Sequence, residues 1–131
     1  MYKGGILNGE LNRILGNMRH TDCICIGDCG LPIPKGVEVV DLAVKLGSPS
    51  FLEVLDVIME HFEAEKVTAA SEVVEKNASL YEEMKARFSE IPIELIPHKE
   101  FKELTASCAA IVRTGENHPY ANIIMQSACI F

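Results

Sequence analysis

The amino-acid pattern predicts an α/β fold: a single domain over residues 1–131, with a mixed β-sheet flanked by helices. Three observations carry this expectation. Short β-branched apolar runs, bounded by Gly and Pro, alternate with stretches of helical periodicity, as they do in α/β domains. One run, Cys23-Ile24-Cys25-Ile26, has no polar face, which places it inside a sheet covered on both sides. The last two runs, 109–114 and 122–128, are joined too tightly for a parallel crossover, so they are expected to form an antiparallel pair and make the sheet mixed.

Taken in order, Asn8 is a good helix N-cap, and Leu7, Leu11, Ile14, Leu15 and Met18 recur around it at helical spacing. A helix over 9–18 then delivers the chain to His20. Asp22 to Gly27 form the first strand. Cys29-Gly30-Leu31-Pro32-Ile33-Pro34 can continue neither helix nor strand, because both prolines lack amide donors and fix φ, so a stiff loop follows. Val37 to Val40 is a short strand. Ser48-Pro49-Ser50-Phe51 reads as a helix start, with a Ser cap, Pro in the first turn and Ser50-x-x-Glu53 as a capping box. Phe51, Leu55, Ile58 and Phe62 carry that helix to residue 62. Lys66 to Ala70 is the next strand, and Asn77 is placed to cap a helix faced by Leu80, Tyr81, Met84 and Phe88. Ile91 to Ile96 is a strand that Pro92 confines to a sheet edge, unless the proline stands among its first residues. His98 to Thr105 is a short helix, Ala109 to Thr114 a strand, Gly115 to Pro119 a turn and Asn122 to Ala128 the last strand.

Composition excludes several classes. With 48% hydrophobic and 24% charged residues, the chain is too apolar to be disordered. The net charge of −7, with 12 Lys and Arg dispersed along the chain, leaves no nucleic-acid footprint. No apolar run approaches the roughly 20 residues needed to cross a bilayer, and no secretory signal is visible. Five cysteines in apolar surroundings suit free thiols in a reducing compartment, so a cytoplasmic location is expected.

The candidate chemistry is acid/base and hydrogen bonding. Gly27-x-x-Gly30 is not a dinucleotide fingerprint and there is no phosphate loop, so no cofactor is expected. Cys23, Cys25 and Cys29 lack the spacing of a zinc knuckle and read as small buried hydrophobes, so no metal is expected either. Taken singly, His20 could be a capping or surface group, Asp28 an Asx turn and His98 a helix cap. Their places change that reading. Asp28, His98, Glu116 and Tyr120 fall just beyond the ends of predicted strands, with Asn122 close by, and in open α/β sheets that edge binds ligands. A carboxylate, an imidazole, a phenol and an amide suit a small polyhydroxylated molecule.

The same residues carry a family resemblance. His20-Thr21-Asp22, Asp28-x-Gly30-Leu31-Pro32-x-Pro34, Pro49-x-Phe51, His98-x-x-Phe101-Lys102 and Arg113-Thr114-Gly115-Glu116-x-x-Pro119-Tyr120-Ala121-Asn122 resemble the ribose pyranase/fucose mutarotase family. The likeness is to its D-ribose pyranase branch more than to its fucose branch, and it runs from residue 3 to Phe131. Cys29 stands where the family commonly has Ala. The resemblance implies cofactor-free interconversion of β-D-ribopyranose and β-D-ribofuranose, supplying ribokinase, by a cytoplasmic homo-oligomer, a decamer of two pentamers. It also implies His20 as proton donor and Asp28, His98, Tyr120, Ala121 and Asn122 as sugar contacts, with Ala121 offering only its backbone. Asp28 and a bound water remain alternative bases, and Lys102, one helical turn past His98, faces either the pocket or solvent.

One geometric tension gives a further expectation. Strand 22–27, at roughly 3.3 Å per residue, separates His20 from Asp28 by about 20 Å. One sugar cannot touch both, so the site is expected between subunits, with His20 donated by a neighbour. Two rival readings share the polar pocket: a sugar-binding accessory of ribose transport that converts nothing, and a mutarotase acting on fucose. A structural oligomer without a ligand accounts least well for so many polar groups at strand ends.

Overall fold

The computed structural model describes residues 1–131. Six strands form one sheet: β1 (Cys23–Gly27), β2 (Glu38–Asp41), β3 (Ala64–Ala70), β4 (Ile93–Ile96), β5 (Ala110–Arg113) and β6 (Ile123–Ser127). Their order across the sheet is β2-β5-β1-β6-β3-β4. The helices are α1 (Gly9–Asn17), α2 (Phe51–Met59), α3 (Val73–Lys76), α4 (Ala78–Arg87) and α5 (His98–Leu104). The predicted α/β class with a mixed sheet flanked by helices is the observed one. No helix is long and apolar enough to cross a membrane.

Alternation along the strands builds two apolar layers. Ile24 and Ile26 of β1, Ala110 and Val112 of β5, and Ile123 and Met125 of β6 point to the larger core. There they meet Leu11 and Ile14 of α1, Phe51, Val54, Leu55 and Ile58 of α2, and Leu80 and Met84 of α4. Cys25, Ile111, Ile124 and Ala70 point the other way, against Phe101 of α5, Leu31 and Cys108. Cys25 is therefore a core residue, and burial pushes its thiol well above the ordinary range. Complete burial of a side chain such as Leu55 or Ile58 contributes about 2–3 kcal/mol.

The antiparallel expectation for the last two strands needs correcting. β5 and β6 do run in opposite directions, but β1 lies between them, parallel to β5 and antiparallel to β6. The linking residues pass over the C-terminal end of β1, where the amide and hydroxyl of Thr114 both donate to the Gly27 carbonyl, at 3.0 and 2.8 Å. An all-apolar β1 is thereby satisfied on both edges as well as on both faces.

Other boundaries shift for local reasons. Asn8 caps α1 as expected, its side chain accepting from the Leu11 amide at 2.8 Å. Ser50 is the cap of α2, accepting from Glu53, so Pro49 precedes the helix and does not lie in its first turn. That helix stops at Met59, short of residue 62. The short helix α3 was not anticipated. Pro92 stands immediately before β4, which is an edge strand.

The crossing over β1 leaves no room at Gly115. A Cβ built there would lie 2.3 Å from the Ser48 carbonyl oxygen and 2.5 Å from that of Lys45, both backbone atoms. Its amide donates to the Pro49 carbonyl at 2.9 Å, locking the two loops together. Gly115→Ala should destabilise the fold by about 2–3 kcal/mol, read as a lowered urea midpoint at unchanged slope.

Candidate functional site

β6 is the one strand that runs against all the others. Its start therefore meets the C-terminal ends of β1, β3, β4 and β5, and that edge collects the predicted binding residues. Asp28 follows β1, His98 follows β4, and Tyr120, Ala121 and Asn122 lead into β6.

Asp28 and Asn122 form a reciprocal pair. The Asn122 Oδ1 accepts from the Asp28 amide at 2.8 Å, and its Nδ2 donates to Asp28 Oδ2 at 2.8 Å. Asn122 is fully buried, so its amide is committed to fixing the carboxylate, whereas half-buried Asp28 keeps lone pairs free. Gly27 permits this closeness, since a Cβ there would press on Leu31 and on Asn122 Oδ1.

His98 and Tyr120 form the second half. Their rings meet edge to face with centroids 5.0 Å apart. Tyr120 adopts φ +58°, a left-handed conformation uncommon for a bulky side chain. Asn77 holds the preceding turn by donating to the Pro119 carbonyl at 2.9 Å. This corrects the reading of Asn77 as a cap: it stands at the start of α4 but makes no capping hydrogen bond with its side chain. The His98 amide donates to the Glu72 carboxylate at 2.9 and 3.1 Å, fixing the start of α5. The His98 Nδ1 is buried and has no hydrogen-bond partner, an orphan polar atom of the kind a ligand hydroxyl satisfies.

Burial lowers the pKa of the His98 imidazole, and the charge of Lys102 acts in the same direction; Glu72 and Asp28 oppose them. A lowered imidazole pKa means that the unfolded chain binds more protons once the pH drops below about 6.5. The contribution of His98 to stability is thus complete above that pH and is lost as the pH falls through the folded-state value. At lower pH the same holds for Glu116, whose carboxyl is held below its ordinary range by His118 and by the Phe51 amide against the cost of burial. The urea midpoint should be flat from pH 7.5 to about 6.5 and fall below it. His98→Gln should remove the first part of that fall and leave the second.

Glu116 is structural. One carboxylate oxygen accepts from the Phe51 amide at the start of α2, and the other from the amides of Asn117 and His118 and from the His118 ring. Arg113 braces the neighbouring loop, donating to the Cys29 carbonyl at 3.1 Å and to Asp41 at 3.0 Å.

His20 lies elsewhere. It precedes β1, at the opposite edge of the sheet, and its Nε2 is 2.9 Å from Glu65 Oε2. The five residues of β1, roughly 17 Å of chain, separate it from Asp28. Exposed His20 lines a cavity of about 510 Å³ with Leu15, Met18, His61 and Phe62. Asp28, His98 and Tyr120 are each only partly buried, so their cluster is an open edge within one chain. No cluster of His, Cys, Asp and Glu is arranged to hold a metal ion.

Fold and edge together define an α/β domain whose sheet edge gathers hydrogen-bonding groups of a kind suited to a small polar molecule, with a histidine held apart from them. The profile of the RbsD / FucU transport protein family matches residues 1–130. The chain belongs to this family. It is 53% identical to the D-ribose pyranase of Staphylococcus haemolyticus and 51% identical to that of Bacillus cytotoxicus, over the whole of each protein. The structure of Bacillus subtilis RbsD complexed with D-ribose superposes with a TM-score of 0.97 at 45% identity, covering 100% of both chains. The fucose mutarotase of Streptococcus pneumoniae, solved with L-fucose, shares the fold at a TM-score of 0.74 and 22% identity, covering 95% of each chain.

Proposed function

We propose that the chain is a D-ribose pyranase, interconverting β-D-ribopyranose and β-D-ribofuranose without a cofactor. The observation that carries this reading is the convergence of the half-buried Asp28 carboxylate and the unpartnered His98 Nδ1 on one sheet edge. Identity of about half the chain to proteins named D-ribose pyranase favours ribose over fucose as the sugar. Asp28, His98, Tyr120 and the Ala121 backbone hold the hydroxyls, and Asn122 holds Asp28.

Ring exchange needs a proton delivered to the ring oxygen and another removed from the anomeric hydroxyl. The ring opens to the aldehyde and a different hydroxyl closes it. Nothing is oxidised and no phosphate moves. Histidine can give and take protons near neutrality, and such help is worth 10²–10⁴-fold, or roughly 3–5 kcal/mol of barrier. We assign the proton donor to His20 of the partner subunit, because the chain's own His20 is on the far edge and its polar cluster is open. That assignment requires a homo-oligomer, for which a decamer of two pentamers acting in the cytoplasm is the finer reading. Saturation-transfer NMR on D-ribose tests the activity directly: pyranose–furanose exchange should accelerate in proportion to added protein. Exchange at the uncatalysed rate, with ribose still bound, would instead make the chain a binding accessory.

A further inference from the structure

We propose that Glu65, steadied by Gln126, is the positioning residue for His20, holding the imidazole by Nε2 so that Nδ1 is the nitrogen that exchanges a proton with the sugar. The inference rests on the reading of His20 as the acid. It starts from a contact that bulk electrostatics does not require: an exposed His–Glu pair contributes little to stability by itself. The two side chains are nonetheless aimed at each other by an irregularity of the backbone on each side. On the histidine side, the adjacent Thr21 adopts φ +73°, a costly conformation for a β-branched residue. It is held there by the hydrogen bond its amide donates to the Ser127 carbonyl at 3.0 Å. On the glutamate side, the β3–β6 register slips between Ala64 and Lys66, placing Glu65 at a β-bulge. Bulges redirect a side chain and recur beside active sites. Gln126, opposite Lys66 on β6, then donates its amide to Glu65 Oε1 at 2.8 Å while Glu65 Oε2 meets His20 at 2.9 Å.

This relay specifies a tautomer. A carboxylate accepts, so the Nε2 facing it carries the hydrogen, and Nδ1 is left to the incoming sugar. The His20 and Gln126 hydrogen bonds also hold the Glu65 carboxyl below its ordinary range, keeping it ionised. In the forward step, Nδ1–H of the imidazolium gives its proton to the ring oxygen while the C1–O bond breaks and that oxygen keeps the electron pair. The anomeric hydroxyl loses its proton to Asp28 or to water as the aldehyde forms. Closure by the neighbouring hydroxyl reverses both transfers. Glu65 fixes the ring plane throughout and keeps Nδ1, not Nε2, for the sugar. Other ionisable groups around the same cavity are Arg19 on the turn of His20 and His61 and Glu63 on the segment entering β3, with Asp22 two residues along the chain. Glu65 is the carboxylate hydrogen-bonded to the ring.

The test combines Glu65→Gln and Glu65→Asp with His20→Asn, reading ribose exchange by saturation transfer and the His20 tautomer by imidazole ¹⁵N NMR. Glu65→Gln should lower the exchange constant at saturating ribose about tenfold and weaken the Nε2–H preference seen in the imidazole nitrogen shifts, with ribose affinity unchanged. Glu65→Asp should recover part of both, and in a His20→Asn background Glu65→Gln should have no further effect on exchange. If His20→Asn abolishes exchange while Glu65→Gln leaves the exchange constant and the imidazole nitrogen shifts unmoved, the positioning role is wrong. Should His20→Asn itself retain full exchange, the role given to His20 is wrong, and the role of Glu65 is lost with it.

Discussion

Asn122→Asp should cut ribose exchange by at least about 100-fold and destabilise the fold by about 2–4 kcal/mol at neutral pH. The reason is local. A second carboxylate in place of the amide would face Asp28 Oδ2 across 2.8 Å, with no donor between them and no water to screen the fully buried partner. One of the two must take up a proton, so the pKa of the pair rises well above the carboxylate range. The sign of the pH dependence follows. The folded variant binds more protons than its unfolded chain, so its stability falls as pH rises from 5 to 8. Wild-type stability is flat or rising over that interval, so urea midpoints of the two proteins should approach each other towards pH 5. Joining Asp28→Asn to Asn122→Asp restores one amide facing one carboxylate and should return most of the lost stability. Exchange should stay low in the double variant, because the carboxylate would then be on the buried side. Recovery of full exchange by the swap would show that position 28 needs only a hydrogen-bonding group.

Much of this site is legible in the sequence, because the ligand edge of an α/β sheet is written in residues that end strands. Asp28 after Gly27 and His98 after Pro97 are visible in that way. The polarity of β6 was also available, and it is what brings Asn122 to the edge where Asp28 emerges. What local spacing could not supply was the identity of strand neighbours. The link from Thr114 to Asn122 is short enough to suggest a hairpin, yet long enough to pass over one strand. The all-apolar β1, which needs partners on both edges, was the clue that it fills the gap. Supporting contacts were harder still. Glu72 and Asn77 bind backbone groups 26 and 42 residues away, and no periodicity encodes a side chain that reaches a carbonyl or amide across the fold. Glu116 appeared with the polar edge groups, but its carboxylate is consumed by backbone amides and His118. A bulge such as the one at Glu65 depends on tertiary register and leaves no trace in the alternation of Ala64 to Lys66.

His20→Asn should leave ribose binding near its wild-type strength and reduce catalysed exchange by about 10²–10⁴-fold. Asparagine keeps a hydrogen-bonding amide of similar reach but cannot carry a proton at neutral pH, so the loss should appear in the turnover constant and not in ribose affinity. His20 lies outside both apolar layers and half its side chain is exposed, so the urea midpoint should hardly move. The stronger form of the experiment mixes two dead proteins. A His20→Asn chain retains an intact Asp28–Asn122 grip, whereas an Asp28→Ala chain retains an intact His20. If each site takes its sugar grip from one copy and its proton donor from another, oligomers assembled from equal amounts should regain activity at about one site in four, by random assortment around a symmetric ring. If both groups came from one chain, no mixed oligomer would contain a complete site and the mixture would stay inactive. The two arrangements therefore differ by the whole of the signal, and the separation of His20 from Asp28 by β1 favours the shared site.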